Sequence, residues 1–112
     1  SFVDKQMAKV PKFGKKTKGM IDSSTASSLK EMMANNVENH YGGNSSFPGL
    51  NLCAKSGTAE VGGSKKPNAW FAGFLDDPEN PYAFIVLVEN GGFGAKVSGS
   101  VANEVLQDIV NK

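Results

Sequence analysis

The sequence has little cysteine and histidine, and both shortages exclude classes of protein. Its 112 residues include one cysteine and one histidine. A single cysteine excludes an internal disulfide framework and a multi-cysteine metal site. The single histidine argues against a zinc enzyme, and it leaves a Ser-His-Asp triad only if His40 itself serves. We therefore expect no metal site.

A strong charge of one sign and a long apolar run are also missing. Lys plus Arg number 12 and Asp plus Glu 11, so the formal net charge is +1. Without a strong basic field, we expect no nucleic-acid partner. The longest apolar run, residues 83–88, is far shorter than the ~20 residues that cross a bilayer. With 39% hydrophobic and 21% charged residues, the composition is that of one small globular domain.

Glycine is abundant, with 13 residues, but no phosphate-binding loop follows from it. Gly14 and Gly19 have the spacing of a P-loop, yet Met20 follows where lysine is required. The dinucleotide-binding pattern fails because Val97 replaces its third glycine. The lysines within residues 15–18 are typical of a solvated loop. We therefore expect no nucleotide and no other cofactor.

A helix is predicted over residues 22–38, with Asp22 and the serines after it as N-cap candidates. Its apolar side chains recur at spacings of three and four, which predicts one buried stripe. This stripe comprises Ala26, Leu29, Met32, Met33 and Val37. The glycines after Tyr41 predict the end of the helix, and residues 42–49 form a loop.

Three strands and a second helix follow. Residues 50–55 alternate in polarity, with Cys53 as a small buried hydrophobe. Residues 69–75 are rich in aromatics, so we expect one of Trp70 and Phe71 in the core and the other under a helix. Residues 82–88 are apolar on both faces, which predicts a central strand. Short connections favour an antiparallel meander, and residues 98–111 predict a closing helix. Its apolar face comprises Val101, Val105, Leu106, Ile109 and Val110. The predicted fold class is α+β, an antiparallel three-stranded sheet flanked by helices.

The end of the first predicted strand carries Lys55-Ser56-Gly57-Thr58. A Lys-Ser/Thr-Gly triplet at a strand end is a signature of penicillin-recognising serine enzymes. The lysine supplies positive charge beside the nucleophile, and the hydroxyl can bond a substrate carboxylate. The glycine lets the strand approach an acyl group, and a backbone N–H beyond it can hold an oxyanion.

Two stretches, residues 55–60 (Lys-Ser-Gly-Thr-Ala-Glu) and residues 69–74 (Ala-Trp-Phe-Ala-Gly-Phe), strongly resemble the transpeptidase domain of class B penicillin-binding proteins. The resemblance covers at least residues 20–112. It implies part of the penicillin-binding/serine β-lactamase-like fold, a five-stranded antiparallel sheet of which three strands are present. It also implies site roles: Lys55 is catalytic, Gly57 lines the substrate, the hydroxyls of Ser56 and Thr58 bind its carboxylate, and the Thr58 N–H is an oxyanion donor.

That family needs two further motifs, Ser-x-x-Lys for the nucleophile and Ser-x-Asn. No Ser-x-Asn occurs, and the one Ser-x-x-Lys, from Ser27 to Lys30, is interpreted as coincidental. In the family the nucleophile lies far upstream of the Lys-Ser/Thr-Gly strand. We therefore interpret residues 1–112 as the C-terminal segment of a transpeptidase domain whose upstream half is missing.

The implied parent is a serine D,D-transpeptidase that cross-links peptidoglycan stem peptides through an acyl-enzyme and is acylated by β-lactams. We expect it to be anchored in the bacterial membrane, to act on its extracytoplasmic face and to join a cell-wall synthesis complex. The isolated chain is expected to be inactive and to self-associate. A non-catalytic sensor or scaffold, and a serine β-lactamase or β-lactam sensor, remain alternatives.

Overall fold

The computed structural model describes residues 19–92 and 94–112, which form three helices and one sheet. In chain order these are α1 (Ser23–His40), α2 (Gly43–Ser46), β1 (Leu52–Ala59), β2 (Asn68–Leu75), β3 (Ala83–Val88) and α3 (Lys96–Val110). The predicted α+β class is confirmed, and α2 is an added turn of helix within the predicted loop. The basic run at residues 15–18 lies outside the described residues.

The sheet is an antiparallel meander in the order β1-β2-β3, as predicted. Ser56 pairs with Phe71, and Phe71 pairs with Val86. Within the described sheet β2 is the central strand, and β3, which the sequence predicted to be central, is an outer strand. A strand that is apolar on both faces is buried on both only if other elements of the protein pack against each face. Here Ile85 is 74% exposed and Leu87 59% exposed.

One face of the sheet carries the core. Phe71 is fully buried at its centre, where its ring contacts the rings of Tyr41, Phe47 and Phe84 at centroid distances of 5.3, 5.8 and 5.9 Å. The other core members are Val37, Leu50, Leu52, Ala54, Leu75, Ala102 and Leu106. The end of α1 and one side of α3 therefore pack on the same face of the sheet.

The opposite face carries Trp70, which alternates with Phe71 along β2 and pairs with Leu87. Trp70 is half-buried and lies over Gly57 of β1 rather than under a described helix. This corrects the predicted position of the second aromatic. The aromatic pair therefore divides between two faces, one packed against helices and one largely open.

The two long helices, α1 and α3, bury fewer apolar side chains than their sequence patterns predicted. In α1 only Val37 is buried, whereas Met32 is 62% exposed and Leu29 is also exposed. In α3 the buried side is centred on Ala102 and Leu106, and the predicted Val101 and Val105 are exposed. Apolar spacing fixes which residues share a face, but the neighbouring elements decide how much of that face is covered.

The end of α1 is as predicted. The helix stops at His40, and the Tyr41 N–H closes the last turn on the carbonyl oxygen of Val37 at 3.2 Å. Gly42 then takes a left-handed conformation with φ 91°, which glycine adopts without steric cost. Asp22 is the N-cap residue, but its side chain makes no capping hydrogen bond. This sharp exit holds Tyr41 beside β1.

Candidate functional site

The Lys-Ser-Gly-Thr segment lies inside β1, not at its end as the sequence predicted. β1 runs on to Ala59. It pairs with β2 along the whole segment, from Lys55 opposite Ala72 to Thr58 opposite Ala69. The segment is thus held straight by a paired neighbour along its whole length. Its other side faces away from β2, because β1 is an outer strand of the described sheet.

The free edge of β1 presents the backbone groups of alternate residues. The Ala54 carbonyl oxygen accepts a hydrogen bond from Asn36 Nδ2 at 3.3 Å, and the Ser56 N–H donates to Tyr41 Oη at 3.0 Å. In an antiparallel ladder the N–H and C=O of one residue point to the same side, and the side alternates. The N–H of Thr58 therefore also points to the free edge, as an oxyanion donor requires.

Lys55 brings positive charge to the same edge. Its side chain is exposed, and Nζ donates to the carbonyl oxygen of Ser56 at 2.8 Å. That carbonyl points to the free edge together with the Ser56 N–H. The ammonium group therefore lies beside the strand edge, where it favours negative charge in a bound group.

The two hydroxyls of the segment lie on one face of β1. Ser56 Oγ is 3.0 Å from Tyr41 Oη, and Thr58 Oγ1 accepts a hydrogen bond from the Gly94 N–H at 3.3 Å. Residues two apart along a strand are separated by roughly 7 Å. Each hydroxyl has a hydrogen to donate, and a carboxylate accepts through both oxygens. The pair therefore suits an anionic group at the strand edge.

Packing within the sheet explains why position 57 is a glycine. A Cβ at this position would collide with the indole of Trp70, which lies across the strand on the face opposite the hydroxyls. The sequence attributed this glycine to the approach of an acyl group. The structure adds that Gly57 is the position over which Trp70 packs.

The hydroxyl face borders a cavity of about 610 Å³ between the end of α1, α2 and the start of α3. Ser56 and Tyr41 line it, together with His40 and Lys96. No Asp or Glu of the described residues lines this cavity, so its electrostatics favour an anion or a neutral group. His40, the last residue of α1, lies at this cavity.

The coincidental Ser-x-x-Lys match lies apart from this edge. Ser27 and Lys30 are exposed on α1, and Lys30 Nζ pairs with Asp76 Oδ1 at 3.5 Å. The Asp76 N–H bonds to the carbonyl of Asn51 at 2.9 Å. Asn51 precedes Lys55 by four residues, or roughly 13 Å of extended chain. The structure therefore does not bring Ser27 to the Lys-Ser-Gly segment.

Cys53 is a buried thiol, as predicted. It is 2% exposed. Burial raises the pKa of its thiol, the charge of Asp76 raises it further, and Lys30 opposes them. A thiol with a raised pKa is a poor nucleophile, so Cys53 does not contribute a reactive group.

Within residues 19–92 and 94–112, no three His, Cys, Asp or Glu side chains gather as metal ligands would. None of the helices in this part of the chain is both long and apolar enough to cross a membrane.

The fold and the edge together define a class of protein. The three-stranded antiparallel sheet with its helices is similar to penicillin-binding protein structures, and in this chain the outer strand β1 carries the Lys-Ser-Gly segment. A model of the penicillin-binding protein transpeptidase domain matches residues 3–111. The chain belongs to the penicillin-binding protein transpeptidase family.

Solved structures agree with this assignment. Penicillin-binding protein A from Mycobacterium tuberculosis, solved as an imipenem acyl-enzyme complex, is 25% identical with a TM-score of 0.65; the match covers 84% of this chain and 21% of that one. Penicillin-binding protein 2 from Helicobacter pylori is 28% identical with a TM-score of 0.61, over 84% of this chain and 18% of that one. This chain thus spans about a fifth of the length of these proteins. No curated protein sequence matches it significantly.

Proposed function

We propose that this chain forms one wall of the active site of a serine D,D-transpeptidase. The observation that carries the proposal is the free edge of β1. There the N–H of Thr58, the hydroxyls of Ser56 and Thr58 and the ammonium of Lys55 come together without a covering strand in the described sheet. Such an edge can hold an acyl oxygen and a carboxylate at once.

The proposed reaction is acyl transfer. A serine hydroxyl outside this chain attacks the carbonyl carbon of a D-Ala-D-Ala peptide bond, which breaks as the released amine of D-Ala takes up a proton. An amine of a second stem peptide then attacks the acyl-enzyme, and the serine regains its proton. A β-lactam is attacked in the same way, and opening of its ring leaves the acyl group on the serine.

The residues of β1 take distinct parts in this reaction. The Thr58 N–H stabilises the negative oxygen that develops on the attacked carbonyl. The hydroxyls of Ser56 and Thr58 bind the substrate carboxylate, and Lys55 adds positive charge beside the nucleophile's proton path. Gly57 keeps the strand thin between Trp70 and the edge. Because we place the nucleophile outside this chain, we expect the chain to be inactive alone.

The open face of the sheet supports the proposal that this chain is part of a larger domain. Ile85 and Leu87 are mostly exposed, and Trp70 and Phe74 are only partly covered. Exposing apolar side chains of this kind to water is unfavourable, so such a patch marks a surface against which more protein packs. We propose that further polypeptide of the transpeptidase domain packs here, and that the chain self-associates when that polypeptide is absent.

Peptidoglycan stem peptides and β-lactams are the ligands of this proposal. Because peptidoglycan is built outside the cell membrane, we place the whole protein on the extracytoplasmic face, anchored in the membrane and associated with other cell-wall enzymes. These assignments rest on the proposed reaction.

Labelling with a fluorescent penicillin tests the proposal. The full-length protein and this 112-residue chain are treated side by side and compared after denaturing electrophoresis. We expect a covalent label on the full-length protein only. An unlabelled full-length protein would instead favour the non-catalytic sensor or scaffold, and a labelled short chain would make Ser27 the nucleophile. Rapid loss of the label would assign a β-lactamase, since a transpeptidase deacylates slowly.

A further inference from the structure

Tyr41 is placed to act on the Lys-Ser-Gly segment, although it lies outside it. It follows the last residue of α1, and its ring meets Phe71 edge-on with an interplanar angle of 81°. Phe71 is fully buried, so the ring of Tyr41 is anchored in the core. This anchor fixes the phenol oxygen at the free edge of β1.

The phenol oxygen contacts Ser56 twice. The Ser56 N–H donates to Tyr41 Oη at 3.0 Å, and Tyr41 Oη lies 3.0 Å from Ser56 Oγ. A phenol has one hydrogen to donate and lone pairs that accept. Having accepted the backbone N–H, Tyr41 is free to donate its hydrogen to Ser56 Oγ. The serine is thereby held through both its backbone and its side chain.

We propose that Tyr41 is a positioning residue that sets the hydrogen-bond direction of Ser56. When Tyr41 donates to Ser56 Oγ, the hydrogen of Ser56 remains available for a ligand. A carboxylate only accepts, so Ser56 binds it only as a donor. The chain from Tyr41 through Ser56 to the carboxylate is cooperative, because each bond polarises the next. This inference rests on the proposed carboxylate-binding role of Ser56.

Replacing Tyr41 by phenylalanine removes one oxygen and keeps the ring in place. Ser56 then loses the donor that directs its hydroxyl, and its N–H loses its acceptor at the edge. We expect the second-order rate constant for acylation by benzylpenicillin to fall about tenfold. A loss of this size is typical when one charge-assisted hydrogen bond, here from Ser56 to the carboxylate, is weakened.

The test uses the full-length protein with Tyr41→Phe, Ser56→Ala and the double variant. Tyr82→Phe is the matched control, because it deletes the same oxygen from a half-exposed tyrosine before β3, which β2 separates from β1. We expect Tyr82→Phe to match the wild type. We also expect the double variant to lose clearly less than the two single losses combined, because Tyr41 directs the Ser56 hydroxyl that Ser56→Ala already removes.

A second readout separates positioning from loss of folding. The same rate constants are measured with the methyl ester of benzylpenicillin, which lacks the charged acceptor. A fold defect lowers both rates equally, whereas the inference predicts a clearly larger fall with the free carboxylate. Equal falls with both ligands, an unchanged rate in Tyr41→Phe, or additive effects in the double variant would overturn the role of Tyr41 alone. A wild-type protein that is not acylated would overturn the proposed function, and this inference with it.

Discussion

The two outer strands of the sheet differ in what covers them. Along β1, Asn36 and Tyr41 bond to backbone groups at the free edge, and the Lys-Ser-Gly-Thr segment carries polar side chains. Along β3, Ile85 and Leu87 leave apolar surface open. This difference fits the proposed function, in which β1 faces a ligand and β3 is covered by more protein.

The largest expected effect concerns the core that both strands share. Phe71→Ala removes the fully buried ring that meets Tyr41, Phe47 and Phe84. We expect a loss of about 3–5 kcal/mol in the free energy of unfolding, as for other buried phenylalanines. Such a loss is a large part of the stability of a small domain. Urea unfolding measures it, and a loss below about 1 kcal/mol would contradict the central place of Phe71.

The next effect is confined to the β1 side. Gly57→Ala places a methyl group against the indole of Trp70, and we expect it to destabilise the chain by about 2 kcal/mol. Combining it with Trp70→Ala removes the collision, so the two losses should be less than additive. Fully additive losses in urea unfolding would show that Trp70 is not what excludes a side chain at position 57.

A smaller effect separates β1 from β3 more directly. Leu87→Ser exchanges an exposed apolar side chain for a polar one, so in the isolated chain we expect a change in stability below about 0.5 kcal/mol. Self-association, followed by analytical ultracentrifugation, should weaken. In the full-length protein the same change should lower the melting temperature, because we propose that more polypeptide covers this face there. If the melting temperature of the full-length protein is unchanged, then β3 is not covered in the way we propose.

The smallest effect lies in the turn that joins β2 to β3. The Asn80 side chain, followed by the Glu79 N–H, donates to the carboxylate of Asp77 and lowers its pKa. A group whose pKa is lower when folded stabilises the fold above its unfolded pKa and loses that contribution as the pH falls. As the pH falls below about 4, the ordinary pKa of an aspartate, Asp77→Asn should therefore show a flatter decline in stability than the wild type. Parallel declines in acid titrations monitored by circular dichroism would contradict this role.

The sequence predicted the features that depend on neighbouring residues. Alternation of polarity identified β1, and the glycines after Tyr41 marked the end of α1, because strand and cap patterns are local. The antiparallel meander followed from short connections. The Lys-Ser-Gly segment was found for the same reason, since three adjacent residues carry it.

The features that depend on distant residues were missed. The bond between Tyr41 and Ser56 joins residues 15 positions apart, and only the direction in which α1 ends brings them together. The aromatic residue after the helix end was visible in the sequence, but nothing there indicated its partner. β3 was predicted to be central because it is apolar on both faces. Such a pattern indicates that other elements should pack on both faces, but it does not show whether the described residues provide them.

The most direct test of the central claim is a crystal structure of the full-length protein acylated by benzylpenicillin. We expect the carboxylate of the bound penicillin to lie within hydrogen-bond distance of Ser56 Oγ and Thr58 Oγ1, with the acyl oxygen on the Thr58 N–H. A penicillin bound away from β1, or with its carboxylate turned from both hydroxyls, would contradict the assignment of this edge as the wall of the active site.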